Sequence, residues 1–424
     1  MKIAIIGTGI AGNVAAYRLR DKHDITVFEG NSYVGGHTNT VDVAVGDATY
    51  AVDTGFIVYN DWTYPEFIRL LDELTVESQP TNMSFSVSCD RSGLEYNGTT
   101  LNSLFAQRRN LLRPSFYRMI LEILRFNKSA PAVLEEESDR TLARYLAAHE
   151  YSSEFIEHYI VPMGAAIWST EPAVLLQMPA KFFVRFFSNH GMLSVNDRPA
   201  WRVIKAGSRS YVNKLVAGHR DRIRLSNPVS WVRRSTNFVE IKAKHGEPER
   251  FDHVFFACHS DEALKLLNDS SPLEREVLGA IGYQENEAVL HTDVSLMPRE
   301  RRAWAAWNYH IPREPRSRVA VTYNMNILQG IQAPEQFCVT LNNSEAIAAN
   351  KIVRRFIYAH PVFTPASVAA QSRQRDINGV RRTYYCGAYW RNGFHEDGVV
   401  SALSAVKHYQ EAESHEERYL RRAG

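Results

Sequence analysis

The chain has 424 residues, 45% of them hydrophobic and 23% charged, so there is material for more than one core and two domains are expected. Its formal net charge of +2 gives no reason to expect nucleic acid, and no stretch approaches the roughly 20 apolar residues of a spanning helix. Four scattered cysteines (Cys89, Cys258, Cys338, Cys386) lack metal-ligand spacing, so no metal is expected, and they read as reduced residues of a cytoplasmic protein.

Residues 2–6 read as a short buried strand, followed at once by Gly7-Thr8-Gly9-Ile10-Ala11-Gly12. An amphipathic helix runs through Val14, Ala15, Tyr17 and Leu19, and a second strand at 25–28 ends at Glu29. This is the β-α-β dinucleotide-binding unit in its expected context. Gly7 permits the tight turn. Gly9 lets the backbone at Ile10 and Ala11 approach a pyrophosphate at the helix N-terminus, where the macrodipole favours an anion. Gly12 allows close helix–strand packing. Glu29 is placed to accept the ribose hydroxyls and would repel a 2′-phosphate, which disfavours NADP. The N-terminal apolar run resembles a signal peptide, but it has no small-residue cleavage site and its removal would destroy this fingerprint.

A helix is expected around 65–74. The stretch 81–200 is mainly helical. Pro114 suits a first helical position, with Phe116, Ile120, Ile123 and Leu124 on one face and Arg118, Glu122 and Arg125 opposite. Ser138 and Asp139 are expected caps for the next helix, which turns Leu142, Tyr145 and Leu146 inward. Phe182, Phe183, Phe186 and Phe187, with Met178 and Met192, would line a broad apolar space. Hairpin-like strands follow at 230–232 and 237–241, then a buried parallel strand at 254–257 and further strands at 288–291 and 318–323. The tail, 401–419, reads as a polar helix.

Past Glu29, a five-residue gap leads to Gly35-Gly36-His37. An acid, a short spacer and a Gly-Gly pair resembles the FAD-dependent amine oxidase superfamily, which includes monoamine oxidases, protoporphyrinogen oxidases and phytoene desaturases. That family's pattern ends in Gly-Gly-Arg, and His37 departs from it. Val52-Asp53-Thr54-Gly55-Phe56 resembles the Asp-x-Gly segment beside the flavin. Arg202-Val203-Ile204-Lys205-Ala206-Gly207, with Tyr211-Val212, resembles the opening of the middle portion of the FAD domain. Ile223 to Val229 is similar to the strand whose valine contacts adenine. Tyr384-Tyr385-Cys386-Gly387-Ala388 resembles the closing strand, and Glu396-Asp397-Gly398-Val399 the start of the final helix. The matches stay in order from end to end, and the likeness extends to bacterial FAD/NAD-binding amine-oxidase-like proteins. The resemblance implies an α/β fold, α+β overall: a Rossmann-like FAD-binding domain (1–80, 201–285 and 378–424) with an inserted mixed helical and sheet substrate domain (81–200 and 286–377). It implies non-covalent FAD, with Cys386 at a position that is usually alanine, and a sheet roofing the flavin.

The same resemblance places the chemistry. A hydride would pass from substrate to flavin N5, while the protein supplies position, dryness and electrostatics. The helix starting near Glu396 would aim its positive end at the flavin pyrimidine. His395 could add a proton or charge there, or be only a cap. Gly387, Tyr389, Trp390 and Phe394 lie where amine oxidases place aromatics beside the flavin. Within the polar-aromatic run from Trp304 to His310, Tyr309 or His310 is a candidate general base and Trp307 a candidate wall. No lysine stands between 283 and 323, which weakens a simple amine-oxidase reading. Phe186 and its neighbours, with the basic run Arg108, Arg109, Arg113, Arg118, Arg125 and Lys128, fit a long hydrophobic substrate with an acidic head, or contact with an anionic membrane. Relatives of this type commonly accompany enzymes of fatty-acyl modification, which favours lipid-like substrates. The expectation is an FAD-dependent oxidoreductase acting on a C–C or C–N bond of a hydrophobic substrate, reoxidised by dioxygen or another acceptor. The alternatives are a small-amine oxidase and a non-redox flavoprotein, either an isomerase or a binding module.

Overall fold

A computed structural model describes residues 1–423 apart from 138 and 315–317, with side chains described up to 414. A five-stranded parallel sheet holds the strands Ile223–Arg224, Asp24–Phe28, Lys2–Ile6, His253–Phe256 and Thr383–Tyr385, in that order. Strand alternation divides its side chains. Ile3, Ile5, Ile25, Val27 and Phe255 face a helical layer that includes Val14 and Ala402. Ala4, Ile6, Phe28, Val254 and Phe256 face an antiparallel meander of Val229–Arg234, Val239–Ala243 and Glu249–Phe251. Both faces are therefore covered, which is why these strands read as continuous apolar runs.

The final helix, His395–Ala423, starts earlier than the expected polar tail and is not polar throughout. Val399, Ala402, Ala405, Val406 and Tyr409 recur at helical spacing and are buried against the first helix, Ile10–Leu19, and the sheet.

A second, seven-stranded sheet runs Ile352–Val362, Gly282–His291, Cys338–Leu341, Val321–Asn324, Trp307–Ile311, Phe85–Cys89, Leu94–Asn97. It is antiparallel except where Trp307–Ile311 pairs with Phe85–Cys89. The strand expected over 318–323 begins only at Val321. The helices between 101 and 189 pack their aromatic side chains on this sheet in one core.

Two expectations in the helical stretch are corrected. Helix Pro114–Ser129 starts at Pro114, and Phe116, Ile120 and Ile123 pack on the core as expected, but Met119, Glu122 and Phe126 are buried with them while Leu124 faces outward. Apolar residues on every side left periodicity without a vote. The next helix, Leu142–Ala148, is capped by Thr141, whose hydroxyl accepts from Arg144 N–H at 3.4 Å. Asp139 instead accepts from Lys181 N–H, and Ser138 lies outside the described residues.

The meander is tied to the parallel sheet by a buried ion network. The Arg234 side chain is fully buried and bonds both Glu274 and Asp269, and Tyr385 donates to Glu274 at 2.6 Å. Burial opposes the Glu274 charge, but the Arg234 and Tyr385 bonds outweigh it and bring its pKa down to about 2. Removing one partner leaves a buried charge unpaired, so Arg234→Met should lower unfolding free energy by about 3–5 kcal/mol in denaturant titration. The double variant Arg234→Met/Glu274→Met should recover most of that loss.

Candidate functional site

The site is assembled where the parallel sheet ends. Gly7 turns with φ +103°, and a Cβ there would lie 2.9 Å from the Ala257 carbonyl oxygen. A Cβ on Gly12 would lie 2.0 Å from the Gly7 oxygen, so no side chain fits at this crossing. A Cβ added at Gly9 would meet nothing within 4 Å among the described residues. Helix Ile10–Leu19 opens onto that space with no side-chain cap and no acid in its first turn. Its orphan N–H groups and positive end are therefore free for an anion. The Glu29 carboxylate is nearly buried and is fixed by Thr8 N–H at 2.9 Å, Thr8 Oγ1 at 2.5 Å and Asn31 N–H at 2.8 Å. Asn227 N–H donates to the Glu29 carbonyl at 2.9 Å, which brings buried Val229 to the same end of the sheet.

Gly36 crosses over Gly9, with an added Cβ only 3.0 Å from the Gly9 Cα. The segment from Gly35 then runs beside the one from Thr54. Phe56 N–H donates to the His37 carbonyl at 2.8 Å, and a Cβ on Gly55 would lie 2.1 Å from that same oxygen. Thr54 Oγ1 bonds the Asn39 carbonyl at 2.9 Å and Tyr358 OH at 3.0 Å. Under Thr54, buried Asp53 accepts from Thr40, Ser208 and Gln329, although burial still raises its pKa to about 6.

The final helix closes the site. A Cβ on Gly398 would lie 2.5 Å from Ile10 Cγ2, so the N-termini of the first and last helices meet. Val399 is buried behind them, and Gly387 N–H donates to Ser401 Oγ at 2.6 Å. The two acids at this helix start serve the backbone. Glu396 accepts from Glu66 and Phe67 N–H and so caps helix Pro65–Glu73. Asp397 accepts from Phe394 and Asn392 N–H, and burial raises its pKa to about 6. His395 stacks on Phe56 at 3.5 Å, with Nε2 2.7 Å from Tyr211 OH and 3.0 Å from Thr38 Oγ1. Burial lowers its pKa to about 3. That direction favours the neutral imidazole, held by hydrogen bonds to Tyr211 and Thr38, over a positively charged one.

Sequence reasoning missed His259, His360 and Tyr358 beside His37. The His37 ring lies 6.0 Å from His259, 5.3 Å from His360 and 5.0 Å from Tyr358, and its buried Nε2 has no hydrogen-bond partner among the described residues. His259 follows the C-terminal end of strand His253–Phe256, the position where open α/β sheets bind ligands, and that signal was available. His360 and Tyr358 sit on the long strand Ile352–Val362 of the other sheet, and nothing local marks them.

The remaining candidates do not come together. Tyr309 is buried, which raises its pKa, whereas His310 turns to the opposite face of the strand and pairs with Asp90 at 2.9 Å. Phe186 and Phe394 stack at 5.1 Å, and Trp307 belongs to the same core. Tyr389 and Trp390 lie in the core on the meander side of the parallel sheet, apart from Phe394. The Phe182 to Phe187 rings pack on their neighbours: Phe183 on Phe187 at 4.2 Å, Phe186 on Trp168 at 4.7 Å.

A family model described as flavin-containing amine oxidoreductase matches residues 10–293. The chain belongs to this family. It is an FAD-dependent oxidoreductase. The site fits the cofactor on its own geometry: two helix N-termini meet, a glycine edge stands open and a buried imidazole nitrogen lacks a hydrogen-bond partner among the described residues. Solved structures with the same fold include cyclohexylamine oxidase from Brevibacterium oxydans IH-35A (TM-score 0.70, 14% identity, 97% of this chain and 99% of that one). They also include putrescine oxidase bound to putrescine (TM-score 0.66, 12% identity, 96% and 99%) and a CLA-producing fatty acid isomerase from P. acnes (TM-score 0.69, 15% identity, 96% and 97%). A search of curated proteins gives no match.

Glu29→Ala should weaken FAD binding by about 1.5–3 kcal/mol, the range for hydrogen bonds to a charged group, in a titration of deflavinated protein. Unchanged affinity would remove Glu29 from the site. A second expectation concerns pH. Burial lowers the pKa of His190, His219, His253, His291 and His360 to about 4, of His395 to about 3, and of His37 well below its usual value. The unfolded chain binds protons at these seven positions near 6.5 and the folded one does not, so stability should fall as pH drops from 7 to 5. Each histidine that stays neutral in the folded chain adds to that fall below about 6.5. Asp53, Glu396 and Asp397, raised by burial, push the other way but are outnumbered. Thermal melts across that range check the sign.

Proposed function

We propose that the protein dehydrogenates a C–C or C–N bond of a hydrophobic, acyl-chain-bearing substrate, with dioxygen or another acceptor taking the electrons. The observation that supports this best is the uncharged aromatic seam that ends at the final helix. Phe394 stacks on Phe186, which packs on Trp168 at 4.7 Å and His190 at 3.8 Å. Burial holds His190 neutral, with its pKa down to about 4. The carboxylates next in the chain, Glu396 and Asp397, are occupied by backbone N–H groups. An ammonium group brought here would meet aromatic faces, but both neighbouring carboxylates are already engaged by backbone donors. A methylene would gain about 0.8 kcal/mol.

Bound FAD supplies the two-electron acceptor. In this reading the chain orients and dries the substrate. Burial raises the pKa of Tyr309, which argues against its acting as the base. Four unpaired cysteines support a reducing, cytoplasmic setting. A second reading, oxidation of a small amine, is favoured by the names of two similar structures, cyclohexylamine oxidase and putrescine oxidase.

Anaerobic mixing separates the two. Long-chain acyl compounds should bleach the flavin absorbance, with affinity rising by about 0.8 kcal/mol per methylene until the site is full. Phe186→Leu should flatten that trend without loss of flavin. Bleaching by small amines, with no response to long chains, would replace this reading with amine oxidation.

A further inference from the structure

Helix Pro114–Ser129 has an apolar inner side in the core and a second apolar side with nothing on it. Leu112 is 88% exposed, Leu101 77% and Leu121 66%, and Leu111, Tyr117 and Leu124 are exposed beside them. Such a concentration of large apolar side chains on a water-facing surface marks an interaction site. Leu111, Leu112, Tyr117 and Leu121 also surround an apolar hollow of about 570 Å³.

Cations predominate in the stretch that carries this face. Arg108, Arg109, Arg113, Arg118, Arg125 and Lys128 lie within residues 101–128, and the only acid in that stretch is Glu122. Glu122 is buried, accepts from Ser152 N–H at 3.3 Å, and lies 3.6 Å from both Arg118 and Arg125. It is consumed internally. On the other side of the turn Arg108–Leu112, a polar cleft of about 670 Å³ gathers Arg108, Arg109, Arg299 and Arg313 against Asp90, Glu95 and Glu300.

We infer that this face seats the protein on an anionic lipid bilayer, with Leu112 and Leu121 entering the acyl boundary and the arginines and Lys128 at headgroup depth. Leucine tips flanked by cations are the chemistry of interfacial binding. Two copies of the chain meeting through this face would set like charges against each other, which disfavours a homodimer. Among the described residues no helix is long and apolar enough to cross a membrane, so the contact is with the surface. The inference does not depend on which bond is oxidised.

Cosedimentation of the holoprotein with phosphatidylglycerol–phosphatidylcholine vesicles, against pure phosphatidylcholine vesicles, tests it. Binding should require the anionic lipid and weaken with salt. Leu112→Glu/Leu121→Glu should lower the vesicle association constant by at least about tenfold, and Arg118→Gln/Lys128→Gln should lower it less and reduce its salt dependence. Retained flavin absorbance shows that each variant is folded. Binding that is equal on both vesicle types, or unchanged in both variants, overturns the inference. So does absence of binding together with a dimer in sedimentation equilibrium that the leucine variant dissociates.

Discussion

The whole site hangs on one steric constraint: backbones must touch at the end of the parallel sheet. Gly12 rests on the Gly7 carbonyl, Gly7 on Ala257, Gly36 on Gly9, and Gly398 on Ile10. Each contact admits no Cβ, or admits one only if a neighbour moves. Stretches of chain from distant parts of the sequence are drawn to one point, and the first helix opens its N-terminus beside Gly9 without a side-chain cap. A surface of backbone N–H groups is rigid, and its donors cannot swing away. That is what a cofactor needs from the protein if its own atoms carry the electrons.

The structure holds this surface with few formal charges. The family pattern has an arginine where this chain has His37, and the pocket here contains imidazoles from three elements instead. Glu396 and Asp397 are consumed as caps, and Asp53 is surrounded by donors. In a dry site a neutral donor that is already oriented does much of the work of a cation without the cost of burying one.

What could be read from sequence follows the range of the interactions. Gly7, Gly12 and Glu29 act within one β-α-β unit, so spacing alone exposed them. The final helix start at Glu396 was visible through resemblance, but its cap on helix Pro65–Glu73 joins residues more than three hundred positions apart and leaves no local trace. Asp53 meeting Ser208 and Gln329, and His37 meeting His360, are hidden for the same reason. Helix Pro114–Ser129 failed differently. Its start was legible and Phe116, Ile120 and Ile123 pack inward as expected, but Leu124 faces outward while Met119, Glu122 and Phe126 turn in, because periodicity assumes that one face is polar. His310 was proposed beside Tyr309 from composition, and strand alternation separated them.

The order of strands in the parallel sheet sets a timetable for synthesis. Lys2–Ile6 is made first, yet its neighbour on one side is His253–Phe256, and the far edge is Thr383–Tyr385. A chain leaving the ribosome presents its nucleotide fingerprint almost immediately and cannot close the sheet beneath it for some 250 residues more. The helix start at His395 arrives after every other wall, so the cofactor pocket is complete only once some 390 residues have followed the first strand. Contacts of such sequence separation are slow to form. Through that interval Ile3, Ile5 and Val27, destined for full burial, have no permanent cover, and the nascent protein needs shelter in proportion.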